Sequence, residues 1–217
     1  AREEGSRVKP GEVVMRIRGP ARALLAAERT ALNFLMRMSG IATATARMLE
    51  EARRANPGVR IAATRKTAPG LRALDKRAVE IGGGDTHRLR LDDCVLIKNN
   101  HIALVGSVGE AVRRAREAVS FTKKVEVEVR RPEEAVEAAR AGADIIMLDN
   151  MTVEEVREAL RRLEEEGLRS QVLVEVSGRI GLEEVADYAR TGVDIISSGF
   201  LTHSARALDF SMRVKKA

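Results

Sequence analysis

The chain has one cysteine, no tryptophan, one tyrosine and four phenylalanines in 217 residues. A lone cysteine makes no internal disulfide, so no covalent framework is expected, and a reducing, cytoplasmic compartment is the natural home. Aromatics at 2% leave almost no stacking platform for single-stranded nucleic acid, despite a net charge of +6. The cations are scattered through a chain that is 32% charged, and a local anionic substrate accounts for the excess as well as a polymer does. No apolar run approaches the ~20 residues of a membrane span. The polar opening AREEGSRVKP has no hydrophobic signal core. The length suits one sizeable domain, or one plus part of another.

What is present is an alternation. VRIAATR (59–65), VLIK (95–98), VEVEV (125–129), DIIML (144–148), VLVEV (172–176) and VDIIS (193–197) are short runs rich in Val and Ile. Between most of them lie helical patterns at 108–119, 132–142, 153–167 and 182–192, with Pro132 near a start and Gly142, Gly167 and Gly192 after ends. Such alternation means parallel strands joined by crossover helices. Six strands with no Gly-x-Gly-x-x-Gly after the first favour a TIM-like α/β barrel over an open dinucleotide-binding sheet. The ends read differently. Residues 6–20 suggest two short strands around Pro10-Gly11, and 207–214 alternates Leu208, Phe210, Met212 and Val214, as though these pieces paired in one small sheet. Residues 21–55 carry a long helical pattern, interrupted at Ser39-Gly40.

In a barrel, chemistry collects where strands end. The stretch IAATRKTAPG (61–70) ends a strand in two cations and then a Pro-Gly breaker. The other strand ends bring Lys98-Asn99-Asn100-His101, Glu128, Asp149-Asn150, Ser177-Gly178 and Ser198-Gly199, with GGGDTHR (82–88) before the second strand. Strand alternation turns Glu126 and Glu128 away from the valines of VEVEV, into the barrel. A buried carboxylate is costly unless paired or metal-bound. Small-residue turns at SGRIG and SSGFLTHS suit a phosphate held by backbone N–H groups. Paired carboxylates suit Mg²⁺ that already carries phosphate oxygens. Arg65, Lys66, Arg88 and Lys98 suit a small polycarboxylate. Together these features point to phosphoribosyl transfer.

The stretches ERTALNFLMRMSGIAT (28–43), TRKTAPGLR (64–72), GGGDTHRLRLDDCVLIKNNH (82–101), VEVEV (125–129), IIMLDN (145–150), EVSGRI (175–180) and SSGFLTHSARALDFSM (197–212) resemble the quinolinate phosphoribosyltransferases, in order and at natural spacing. The resemblance implies transfer of phosphoribose from phosphoribosyl pyrophosphate to quinolinate with loss of CO₂. It also implies an incomplete barrel (55–204) beside a partial α/β sandwich domain formed by the chain ends (1–54 and 205–217). It assigns Arg29, Arg65, Lys66, His87, Arg88 and Lys98 to the anionic substrates. Glu128 and Asp149 face the ribose and the Mg²⁺-pyrophosphate, and Ser177, Gly178, Gly199 and His203 hold the 5′-phosphate. Lys66, Glu128 and Asp149 are the expected catalytic set. A homodimer or dimer-based oligomer is implied, with Arg29 reaching the neighbouring subunit's barrel. The family's usual Ser-Gly-Gly turn is here Ser177-Gly178-Arg179, where the arginine either touches phosphate or points to solvent. The resemblance further implies a start inside the family's first domain.

Plainer readings stand beside these. His101 and His203 are open to ordinary capping or loop roles, and no histidine pair has the helical spacing of a zinc site. Cys94 reads as core in apolar company. Glu126 is either a site residue or a structural partner of an interior cation. Arg113, Arg114, Arg161 and Arg162 lie beside glutamates on solvated helix faces. A relative acting on nicotinate or another acid, a non-catalytic barrel used for binding or assembly, and a nucleic-acid binder are the competing functions.

Overall fold

The computed structural model describes residues 1–215; Lys216 and Ala217, the end of the expected 205–217 segment, lie outside the described residues. Regular structure begins with a 35-residue helix, α1 (Ala21–Ala55). Its first half is mostly exposed, whereas Ile41, Thr45, Met48 and Ala52, spaced three or four apart, form one buried stripe against the barrel. The expected interruption at Ser39-Gly40 is absent. A β-carbon on Gly40 would stand 2.3 Å from the Arg206 carbonyl oxygen, so this glycine admits the returning C-terminal segment and does not break the helix. Gly40→Ala is therefore expected to destabilise the fold by about 1–3 kcal/mol through overpacking against backbone. An unchanged denaturant midpoint would show that the crossing is looser than this.

All six expected strands form: β1 (Arg60–Ala63), β2 (Val95–Ile97), β3 (Val125–Val129), β4 (Ile145–Asp149), β5 (Leu173–Gly178) and β6 (Ile195–Ser198). Every ladder is parallel, in the order β1-β6-β5-β4-β3-β2. No ladder joins β1 to β2. The free side of β1 carries only an isolated parallel bridge, in which Asp85 N donates to Ile61 O (2.7 Å) and Ala63 N to Asp85 O (2.9 Å). The barrel is thus incomplete, and one loop residue partly fills the gap.

Outside the sheet run α2 (Arg72–Ile81), α3 (Asn99–Val105), α4 (Val108–Ala118), α5 (Pro132–Arg140), α6 (Val153–Glu165), α7 (Val185–Ala189) and α8 (Phe200–His203). Their ends follow local chemistry. Ser107 caps α4, Thr152 and Glu155 form a capping box on α6, and Pro132 opens α5. Gly142, Gly167 and Gly192 take positive φ where chains leave their helices. Valines and isoleucines of β3–β6 pack outward on these helices in one core that includes Val125, Val127, Ile146, Val174 and Ile196, with Met48 of α1. The exposed arginines pair as expected, Arg113 and Arg114 with Glu110, Arg161 and Arg162 with Glu158. No helix among the described residues is long and apolar enough to cross a membrane.

The small terminal sheet does not form within this chain. Among the described residues, 6–20 and 207–214 carry no strand. They are tied by single bonds such as Arg2 N to Val14 O (2.8 Å) and Leu208 N to Met36 O (3.1 Å). Alternation supplies a face, but a ladder needs a second backbone edge, and isolated strand pairs are marginal in water. Val13, Met15 and Ile17 remain exposed.

Candidate active site

The rim at the strands' C-terminal ends is assembled rung by rung. Ala63 lies opposite Ser198, so Thr64-Arg65-Lys66 emerges beside Gly199. Thr202 Oγ1 donates to Lys66 O at 2.8 Å and locks that loop to α8. A β-carbon on Gly199 would lie 3.1 Å from Lys66 Cδ and 2.8 Å from His203 Nε2, so these three residues converge, and any side chain at 199 would push the lysine or the imidazole aside. His203 also meets Ser204 Oγ at 2.6 Å through Nδ1. On the next strand Gly178 has φ +151, and a β-carbon there would stand 2.9 Å from Asn150 Oδ1. Asn150 N donates to Ser177 O at 2.9 Å, closing the turn. Arg179 is exposed.

On the far side of the mouth Ile97 lies opposite Val127, which sets Lys98 beside Glu128. Lys98 Nζ donates to Glu128 Oε1 at 2.5 Å. His101 Nδ1 accepts from Lys98 N at 2.9 Å, the capping role expected of it. Asp149 accepts from Asn150 Nδ2 (2.9 Å) and has its nearest cation, Arg130, at 3.7 Å. With its amide turned to satisfy both groups, Asn99 accepts from Arg130 Nε at 2.9 Å, so Arg130 bridges two strand ends.

The barrel interior is polar. Glu126 and Glu175 are fully buried, and His87 Nε2 stands 3.2 Å from the first and 3.3 Å from the second. Ser197 Oγ donates to Glu175 Oε1 at 2.5 Å. Cys94 is half-buried with Sγ 3.9 Å from Glu126, not in the apolar company expected of it. Leu96 lies opposite Glu126, so strand alternation turns Cys94 toward that same polar interior. Burial, then the Glu126 charge, push its thiol up to about 11. Burial opposes a charged His87 ring, but hydrogen bonds and the charges of both glutamates prevail and raise its pKa to about 10. Burial raises the Glu126 pKa, while His87 pulls the other way. Arg88 is 6% exposed, and its charge acts on Cys94 and Glu126.

Several residues of this scaffold escape sequence reading. Lys76 is buried, donates to Ala63 O (2.9 Å) and Thr86 O, and has a pKa lowered to about 8 by burial and then by Arg72. Arg37 on α1 grips buried Asp75 through two 2.8 Å bonds and also reaches Thr202 O at 3.0 Å. Arg72 ties Thr67 to Leu89 O. Asp75 and Lys76 break the apolar stripe of α2, which is why that helix was not legible. Glu175, by contrast, carries the signal that marked Glu126, an acid on the inward face of a Val-rich strand.

Arg65, Lys66, His87, Arg88, Lys98, Glu128, Asp149, Ser177, Gly178, Gly199 and His203 therefore lie at the mouth or just inside it. Arg29 does not join them through any contact in this chain. It is exposed on the free half of α1, with no hydrogen bond or ion pair among the described residues. A shallow hollow between α5 and α6, lined by Glu133, Arg161 and Arg162, lies on the outer surface away from this chemistry.

Two family models account for nearly the whole chain. Quinolinate phosphoribosyl transferase, C-terminal domain, matches residues 41–213, and the N-terminal domain of the same family matches residues 1–39. The chain belongs to the quinolinate phosphoribosyltransferase family. It is 58% identical over 214 residues to an Archaeoglobus fulgidus protein named "Probable nicotinate-nucleotide pyrophosphorylase [carboxylating]", covering 99% of this chain and 82% of that one. The human nicotinate-nucleotide pyrophosphorylase (carboxylating) is 45% identical over 211 residues, or 97% of this chain and 70% of its own. Among solved structures, NadC from Streptococcus pyogenes superposes with a TM-score of 0.89 at 44% identity, covering 97% of this chain and 71% of that one. Within the quinolinate phosphoribosyltransferase family, then, the residues above stand on the expected incomplete barrel.

Proposed function

We propose that this chain transfers phosphoribose from phosphoribosyl pyrophosphate to quinolinate, releasing pyrophosphate and CO₂ and giving nicotinate mononucleotide for NAD biosynthesis. The observation that carries the reading is a single mouth, in a chain of this family, holding Lys66, Lys98, Glu128 and Asp149 beside two glycine turns. Arg65 Nε adds to it, as a buried donor with no partner that an incoming carboxylate would satisfy.

Ser177, Gly178, Gly199 and His203 take the 5′-phosphate, where the absence of side chains at the glycines lets backbone N–H groups approach it. Arg65, Lys66, His87, Arg88 and Lys98 fix the two carboxylates of quinolinate and offset its charge. Glu128 and Asp149 would hold Mg²⁺. Their oxygen donors fit a hard cation, and no cation is nearer to Asp149 than Arg130 at 3.7 Å. When bound, the ion neutralises charge on pyrophosphate. As the C1–oxygen bond lengthens, Glu128 and Asp149 stabilise the oxocarbenium character of the ribose, and Lys98 keeps Glu128 aimed. The clamped ring nitrogen attacks C1, so orientation supplies much of the rate. The resulting pyridinium withdraws electrons from the neighbouring C–CO₂ bond, CO₂ departs, and the ring carbon takes a proton.

The working unit is a two-fold dimer in which α1 of each chain closes the other's mouth. Exposed Val13, Met15, Ile17 and Leu25, together with Arg29, which has no ion pair among the described residues, support this arrangement.

Incubation with phosphoribosyl pyrophosphate and Mg²⁺ should give nicotinate mononucleotide with one CO₂ per product from quinolinate and little or none from nicotinate. Preference for nicotinate would overturn the reading. Arg88→Ala should raise the KM for quinolinate roughly ten- to hundredfold, the scale of one lost charge-assisted bond, with little change for phosphoribosyl pyrophosphate. Equal losses would make Arg88 structural.

A further inference from the structure

We infer that Glu126 and Glu175 are positioning residues that hold His87 as a permanent imidazolium at the edge of the quinolinate pocket. This rests on the proposed function and adds a role for two side chains that contact no substrate. The ring has one nitrogen to offer them: Nε2 lies 3.2 Å from Glu126 and 3.3 Å from Glu175. Both acids are fully buried; Glu126 Oε1 has no hydrogen-bond partner, and Glu175 Oε2 has no neighbouring donor except this His87 nitrogen. Two buried carboxylates require opposing charge close by. The groups facing them are the His87 ring, the Cys94 thiol, Arg88 and Ser197, with Lys76 behind the loop and committed to Ala63 O and Thr86 O.

The tautomer decides what the ring can do for a ligand. A neutral ring that gives its one proton to a glutamate through Nε2 leaves a lone pair on Nδ1, which repels a carboxylate. With both nitrogens protonated, Nε2 serves the glutamates and Nδ1–H stays free, since Nδ1 has no partner among the described residues. The backbone supports the same pose. His87 sits at φ +54, strained for a residue with a side chain, and its N–H is held by Asp85 Oδ1 at 2.7 Å. His87, Cys94 and Glu126 also place ligand atoms within 4.8 Å of one another. A divalent ion there would have to displace the ring proton and the thiol proton, both held well above neutral pH.

The test uses nuclear magnetic resonance on the intact chain, whose three histidines make assignment simple with His87→Gln as reference. In the wild type the His87 ring should stay protonated and not titrate between about pH 5.5 and 8.5, while in Glu175→Gln and Glu126→Gln its titration should fall toward the ordinary range near about 6.5. In Glu175→Gln the quinolinate KM should then rise by up to about tenfold per pH unit above the new ring pKa, with the wild-type KM flat and phosphoribosyl pyrophosphate unaffected. The His87 contribution to folding stability, read as wild type minus His87→Gln, should be level below about pH 6.5 and decline as pH rises toward about 10, because a raised pKa stabilises only while the proton stays on. Buried Lys76, lowered to about 8, acts in the opposite direction and cancels in that difference. A wild-type ring titrating near about 6.5, equal pH-independent losses for both substrates, or stoichiometric zinc uptake at neutral pH that Cys94→Ala removes would each overturn the inference. The wild-type titration decides even if a variant fails to fold, and a chain inactive on quinolinate but with a non-titrating His87 would fail the proposed function alone.

Discussion

Asp149→Asn and Glu128→Gln should each lower turnover about 10²–10³-fold, the scale of removing one preorganised charge from a developing transition state. Both substitutions keep shape, remove the charge and exchange one acceptor oxygen for an N–H donor. Asparagine at 149 still accepts from Asn150, while glutamine at 128 leaves Lys98 Nζ, now 2.5 Å from a carboxylate, facing a neutral amide. Neither residue belongs to the apolar core, so circular dichroism and the unfolding midpoint should stay close to wild type. Loss of turnover with an intact fold identifies a group used in the chemistry. Unchanged kinetics would remove both carboxylates from the mechanism and leave the Lys98–Glu128 pair as a brace of the rim.

Mixing two inactive variants, Arg29→Ala and Lys66→Ala, should restore about a quarter of wild-type activity. With random re-pairing half the dimers contain one chain of each kind, and each mixed dimer has one intact site of two. The ground for this is an asymmetry in α1. From Gly40 onward the helix is buried against its own barrel, whereas the turns carrying Arg29 are exposed. An arginine near Leu25 and other exposed apolar side chains suits a surface that docks on another chain. If the mixture remains as inactive as its parents after subunit exchange has been verified by mass, Arg29 does not complete a neighbour's site.

The strand content and barrel class followed from local chemistry. Val- and Ile-rich runs of four to seven residues separated by capped helices leave few other arrangements, and each strand's C-terminal end is a position in sequence as much as in space. For that reason Lys66, Lys98, Glu128, Asp149 and the Gly178 and Gly199 turns were legible as one rim before any distance was known. Alternation likewise sent Glu126 inward.

Tertiary structure alone decided the rest. Gly40 looked like a helix break because a glycine's tolerance of close approach shows only when the approaching backbone, Arg206, is in place. The end segments looked like strands because alternation describes one face, whereas a ladder is a property of two edges. α2 was hidden because Asp75 and Lys76 are buried by partners as distant as Arg37, so charge occupies positions that pattern reading reserves for apolar residues. His87 could be assigned to the mouth from sequence, but not its two glutamates. Residues 87, 126 and 175 come from three separate segments, and only the curling of the sheet around them sets one imidazole between two carboxylates. The sequence by itself determined which groups stand at the strand ends, since that depends on short-range order. Which groups face one another inside the barrel, as His87 faces Glu126 and Glu175, depended on angstrom-scale distances between remote segments, and only the folded barrel sets them.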